Sequence, residues 1–355
     1  MHGFASIDRR NFLKALVSSG VAFRFAGCVS PLQGRACGVH GAVLHVKDLS
    51  GVLDWPKLAH EVGIDTLATH VFPEDVIPFM QSEKGRKFVE DCARYGIGVE
   101  HEMHAIEYLL PRSLFDTRPE LFRLDEKGVR QRKSNGCFTN PETLKIVASR
   151  AVEVARICRS TTGRYFYWLS DFGPTCQCPE CRRLSPPDQA VLVENAIVEA
   201  LRKEIDPCAT LSHLAYERLM PPPQKVKPHE ALFLEYAPVL RYRRNSNVYN
   251  REDLVEGGDH LQRLDALLKV FPAESAQVLE YWLDESLYCY YRKPLKRLPW
   301  DRDRTRADIA AYARRGIRNF TTFAVWLNAE YTETFGEESL DCVGEYAKLL
   351  EEVAG

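Results

Sequence analysis

An α/β fold of the (β/α)8 TIM-barrel type is predicted for this chain by three observations. One unit repeats along it: a short apolar, β-rich run, then polar residues, then a helical pattern. Eight such units fit into 355 residues with no linker or low-complexity stretch between them. Helical patterns also hand over to the next run through a glycine and an isoleucine, at Gly63-Ile64, Gly96-Ile97 and Gly316-Ile317. Glycine suits the left-handed residue that ends a helix, and the isoleucine opens the next buried run. The alternative, a doubly wound open sheet, usually carries a Gly-rich phosphate turn after its first strand. His45-Val46-Lys47-Asp48 is not such a turn.

Taken in order, the expected strands are Ala42–Val46, Thr66–Val71, Gly98–Met103, Tyr165–Leu169, Thr210–Ala215, Ala231–Tyr236, Gln277–Leu283 and Asn319–Leu327. Helical spacing follows the first two over Asp54–Val62 and Ser82–Tyr95. Pro141–Cys158 precedes the fourth run. Pro187–Ile205 follows it, with Val191, Val193, Ile197, Ala200 and Leu201 tracing an apolar stripe. Leu261–Val270 and Arg306–Arg315 precede the last two runs, and Glu338–Val353 closes the chain. The connections after runs three and six are long. In a barrel, long loops at the carboxyl ends of the strands carry the site.

The first residues read as a targeting segment. Arg9-Arg10 stands before Phe12-Leu13-Lys14, and a moderately apolar run from Ala15 to Ala26 follows. This resembles a twin-arginine export signal, so residues 1–35 are assigned to export and 36–355 to one barrel domain. Phe25-Ala26-Gly27-Cys28 also resembles a lipoprotein cleavage box, although Arg24 interrupts the apolar run. The expected location is the periplasm, as a free protein or anchored by lipid at Cys28. Beyond the first 30 residues no apolar stretch is long enough to span a membrane. A net charge of −2 gives no basic surface for nucleic acid.

If the barrel is right, residues at the carboxyl ends of the strands converge on one pocket. They include His70; His101, Glu102 and His104; Trp168 and Asp171; Tyr216; Glu235; Glu280, Tyr281, Trp282 and Asp284; and Trp326. Carboxyl groups beside aromatic plates suit a sugar, whose C–H faces stack on rings and whose glycosidic bond is cleaved by paired carboxyls. Asp171, in Ser170-Asp171-Phe172-Gly173, sits where an extended run breaks, and so faces a pocket rather than a core. Glu280 and Glu235 each interrupt an apolar run, which makes them either buried and paired or pocket-facing. These three are the candidate catalytic residues, and the others are candidates for binding substrate. Tyr and Trp in strands are also ordinary core residues. His101-Glu102-Met103-His104 lacks the i, i+4 spacing of helical zinc sites, and on a regular strand its two histidines point to opposite faces.

Cys176-Gln177-Cys178-Pro179-Glu180-Cys181 places three thiols within six residues. Three thiolates this close can fill three corners of a tetrahedral zinc site, with Cys137 as the candidate for the fourth. Such a closed site would be structural. A disulfide within this set and free thiols are the alternatives; the chain has 11 cysteines, an odd number, so they cannot all pair internally.

From Glu100 to Glu337 the chain resembles the bacterial domain-of-unknown-function family 4838, which includes glycoside hydrolase family 163. The resemblance is carried by His101-Glu102-Met103-His104-Ala105, Arg118-Pro119-Glu120-Leu121-Phe122 and Cys137-Phe138-Thr139-Asn140-Pro141-Glu142. Asp171-Phe172-Gly173 with its cysteines, Leu279-Glu280-Tyr281-Trp282-Leu283-Asp284 and Phe323-Ala324-Val325-Trp326-Leu327 complete it. It implies a barrel glycosidase. The characterised branch is implied to release complex N-glycans as an endo-β-N-acetylglucosaminidase, retaining configuration with help from the substrate's acetamido group. Ser170-Asp171 lacks the adjacent second carboxylate that mechanism wants, which leaves Asp171 to work with a carboxyl from another strand. The chain is also shorter than larger relatives with added β-domains.

The resulting expectation is a retaining glycoside hydrolase of glycosidase-like barrel fold. It acts on a bacterial, plant or host glycan, including one that contains N-acetylglucosamine, and uses no organic cofactor. The alternatives are a catalytically inactive carbohydrate-binding barrel, and a sugar isomerase or lyase built on His101 and His104.

Overall fold

A computed structural model describes residues 38–171, 173–245 and 248–354. Arg9-Arg10, the apolar run behind them and Cys28 lie outside the described residues. Eight parallel strands close into a barrel: β1 His40–His45, β2 Thr66–His70, β3 Gly98–His104, β4 Arg164–Trp168, β5 Thr210–Ala215, β6 Leu232–Tyr236, and, after an inserted hairpin of β7 Tyr242–Asn245 and β8 Val248–Arg251, β9 Gln277–Glu280 and β10 Asn319–Phe323. The order around the barrel is β1-β10-β9-β6-β5-β4-β3-β2. The predicted barrel is the observed one. The antiparallel hairpin in the long connection after β6 is new, because Tyr242–Arg251 carries no clear alternation of apolar and polar residues.

The helices start and stop where local chemistry directs. Asp54, Ser82 and Asn140 each cap a helix by accepting a backbone N–H, and Ser185 with Asp188 forms a full capping box for the helix Pro186–Glu204. Gly63 and Gly96 end two helices at φ 90° and 71°, the left-handed region that favours glycine.

Strand alternation then sorts the side chains into two cores. Leu67, Val99, Tyr167, Leu234 and Val278 face outward and pack under the helices. Val43, Ala68, Phe166, Leu214, Phe233, Leu279 and Phe323 face inward. The last two apolar runs are shorter as strands than the sequence predicts. The β9 ladder stops at Glu280 and the β10 ladder at Phe323, and the chain turns beyond each, with Asp284 N–H on Tyr281 C=O and Leu327 N–H on Ala324 C=O. Apolar residues alone do not separate a strand from the buried turn that continues it.

Candidate active site

At the carboxyl ends of the strands lies a cavity of about 210 Å³. Trp168, Leu214, Leu279 and Phe323 form its apolar part, with Tyr281 beside them. Its polar groups are His45, His70, His104, Asp171, Tyr216, Asp284 and Ser286, with Tyr291 at the rim. His70, His104, Trp168, Asp171, Tyr216, Tyr281 and Asp284 are thus brought together, as the strand-end argument predicts. His45 was missed, although it ends β1 and the same argument reaches it. Ser286, in the short helix Glu285–Tyr288, and Tyr291, just past it, come from the segment after β9, where sequence carries no signal.

Three imidazoles line one wall. His45 stacks on His70 at 5.6 Å between ring centroids, and His70 meets His104 edge-on at 6.1 Å. His70 Nδ1–H donates to Glu102 C=O at 2.8 Å, and His104 Nδ1–H to Leu169 C=O at 2.7 Å. A ring nitrogen facing a carbonyl must carry the proton, so on each neutral ring Nε2 is the acceptor. Burial lowers the pKa of all three; His45 and His104 push His70 lower still, while Asp48 opposes the effect at His45 and Asp171 opposes it at His104. The wall therefore offers acceptors to hydroxyl groups near neutral pH.

Two carboxyl groups differ in environment. Asp171 is exposed to solvent at the cavity edge, beside Tyr216, whose own ionisation is pushed up by burial and by that carboxylate. Asp284 is buried, and burial pushes its pKa up to about 6 against the opposing bonds from Ser286 and Leu287. Its Oδ1 accepts from Ser286 Oγ at 2.6 Å and from Leu287 N–H at 3.0 Å, which caps the short helix Glu285–Tyr288. Oδ2 receives no hydrogen bond from a described residue.

Several predicted site residues are elsewhere. Leu279 and Tyr281 point into the cavity, so Glu280 between them points out. There it is ion-paired with Arg241 and accepts from Tyr242 Oη at 2.6 Å and Tyr312 Oη at 2.5 Å. Trp282 shares that outward parity; its Nε1 donates to Asp308 and its ring packs on Tyr346. His101 also faces out, bonded to Thr69 Oγ1 at 2.8 Å, so His101 and His104 do not form a pair. Burial lowers its pKa to about 4.

Glu102 and Glu235 do face inward, but within the barrel and off the cavity wall. Trp168 Nε1 donates to Glu235 Oε2 at 2.8 Å, and Gln277 Nε2 to Oε1 at 3.1 Å. Burial pushes Glu235 up to about 8 and Glu102 well above the usual carboxyl range, with each near other carboxyls. Arg164, 3.8 Å from Glu100, is the cation of this interior. Trp326 is not among the cavity-lining residues; it lies partly buried with Lys293 Nζ 4.8 Å over its ring.

A separate cluster contains Cys137, Cys176, Cys178 and Cys181, all buried and none in a disulfide. Their four Sγ atoms lie within 4.8 Å of one another, a group that can hold a metal ion. Cys137 Sγ is 3.7 Å from Cys178 Sγ and 3.9 Å from Cys181 Sγ. A tetrahedron with metal–sulfur bonds of about 2.3 Å has edges of about 3.8 Å, whereas a disulfide needs about 2.05 Å. Leu124 N–H points at Cys176 Sγ at 3.2 Å and Cys181 N–H at Cys178 Sγ at 3.4 Å, the bonds a thiolate accepts.

Fold and site together define a (β/α)8-barrel protein with a carboxyl- and imidazole-lined cavity at the strand ends. The pattern of DUF4838, a domain of unknown function, matches residues 74–281, more than half of the chain. This protein belongs to that family.

Solved structures share the barrel at low identity. A family GH18 chitinase from Cycas revoluta, in complex with allosamidin, superposes with a TM-score of 0.51 at 8% identity over 90% of this chain and 100% of that one. A Thermobaculum terrenum O-GlcNAc hydrolase mutant gives 0.51 at 11% identity over 88% of this chain. A tri-modular GH5 endo-beta-1,4-glucanase from Bacillus licheniformis gives 0.50 at 9% over 92%. The match spans 59% and 60% of those last two chains. No curated protein sequence matches this chain. Among the described residues no helix is long and apolar enough to cross a membrane.

Proposed function

We propose that this protein is a glycoside hydrolase in which Asp171 and Asp284 are the working carboxyls. One observation carries the reading: a single cavity presents a solvated carboxylate and a buried carboxyl pushed up to about 6. Environments that separate two carboxyls in this way divide the roles of charged base or nucleophile and proton donor. Asp284 is the proposed acid and Asp171 the proposed nucleophile or base. His70 and His104 accept hydrogen bonds from substrate hydroxyls, and Trp168 and Tyr281 supply ring faces. The family resemblance implies retention of configuration and a glycan containing N-acetylglucosamine. The glycosidase-like architecture supports the class and leaves the sugar to experiment.

The test is a screen of the purified chain against aryl glycosides and N-glycans, with proton NMR of the first-formed anomer on any substrate cleaved. Cleavage lost in both Asp171→Asn and Asp284→Asn supports the pairing. Tight sugar binding with no cleavage by the parent favours a binding barrel instead.

We also propose that the four cysteines hold zinc, in a closed structural site. The support is the fit of the sulfur spacings to a tetrahedral ion. Export by the twin-arginine route, to the periplasm or to a lipid anchor at Cys28, rests on sequence alone. Replacing Arg9 and Arg10 by lysine should retain the protein in the cytoplasm, and unchanged export would reject the route.

A further inference from the structure

We infer that Asn135 is the positioning residue for Asp171, holding the turn that presents its carboxylate to the cavity. This rests on the proposed role of Asp171. Gly173 N–H donates to Ser170 C=O at 2.9 Å, closing a turn with Asp171 at its first corner. The Asn135 side chain is completely buried and grips both limbs of that turn. Its Oδ1 accepts Ser170 N–H at 3.0 Å. Its Nδ2 donates to Gly173 C=O at 3.3 Å and to Pro174 C=O at 3.2 Å.

Only an amide offers an acceptor and two donors in one plane at this reach. The fit is close: a Cβ on Gly173 would lie 2.9 Å from Ser170 C=O oxygen and 3.1 Å from Asn135 Nδ2. Asn135 is itself anchored on both sides. Ser134 N–H donates to Glu107 Oε1 at 2.6 Å and Ser134 C=O accepts from Arg112. Cys137, two residues on, belongs to the sulfur cluster, as does Cys176, two residues past Pro174. The exposed carboxylate therefore stands on a turn whose backbone is tied to a buried amide, and that amide is bracketed by the cysteine site. No other described side chain bonds both limbs of the turn.

The experiment compares the full-length parent with Asn135→Ala and Asn135→Asp. Hydrogen exchange, which needs no substrate, is expected to show lost protection at Ser170 and Gly173 in Asn135→Ala, with metal content unchanged. Asn135→Asp keeps the Oδ1 acceptor and loses both donors, so its loss should be smaller at Ser170; it also serves if the alanine variant does not fold. On a glycoside that the parent cleaves, kcat should fall by about 100-fold, the usual cost of a reacting group misplaced by about 1 Å, with KM within about threefold. Unchanged protection at both amides overturns the clamp. A loosened turn with parental kcat overturns the positioning role. A parent that cleaves no glycoside defeats the hydrolase reading, while the exchange result still decides whether Asn135 holds the turn.

Discussion

The indole Nε1–H of Trp168 donates to Glu235 Oε2 at 2.8 Å, so a ring of the cavity wall is locked to a carboxyl inside the barrel. That carboxyl is buried and its pKa is raised to about 8. A raised carboxyl pKa means that the folded state binds a proton the unfolded state releases. Its contribution is full below the unfolded value near 4.5 and is lost as pH rises through 8. Glu235→Gln should therefore lose less stability than the parent between pH 5 and 8, in urea melts taken at each pH. Equal slopes for the two proteins would show that Glu235 does not hold that proton.

Asp171→Asn and Asp284→Asn should each lower turnover by about 100-fold or more, the scale of a lost acid–base group. Glu280→Gln should behave differently. It leaves two buried cations, Arg241 and Arg251, facing the single carboxylate of Asp308 in the helical layer, so it should destabilise the fold by about 3 kcal/mol. Turnover per folded molecule should stay near the parent's. A Glu280→Gln protein that is fully stable yet inactive would return Glu280 to the mechanism.

Asp284 as the acid sets the direction of the pH profile. A general acid works only while protonated, so kcat/KM should fall as pH rises through about 6. The alkaline limb should vanish from the residual activity of Asp284→Asn. A limb retained in that variant would assign the proton to another group.

Elemental analysis of native protein should find about one zinc per chain. Chelation should lower the melting temperature, because the energy of binding an ion at a site formed only on folding is folding energy. Replacing Cys137 with serine should act in the same direction. Iron in place of zinc would correct the metal and keep the site, whereas a disulfide among the four in mass spectra would remove it.

The repeating βα pattern and the glycine–isoleucine junctions were enough to predict the barrel, since a strand and its helix are specified by local periodicity and by capping chemistry. The cysteine spacing likewise pointed to its own partners, because three of the four thiols lie within six residues. Asp171 was also legible, as a charged residue just where an extended run breaks. What only the tertiary structure decided is which carboxyl faces which space. Glu235 and Glu280 read alike in sequence, each a lone charge in an apolar strand, yet one faces the barrel interior and the other Arg241 in the helical layer. The difference is strand parity measured against a closed barrel, and a shift of one residue reverses it. Asn135 was hidden for a related reason: its partners are 35 to 39 residues away, and only closure of the barrel brings them to its amide.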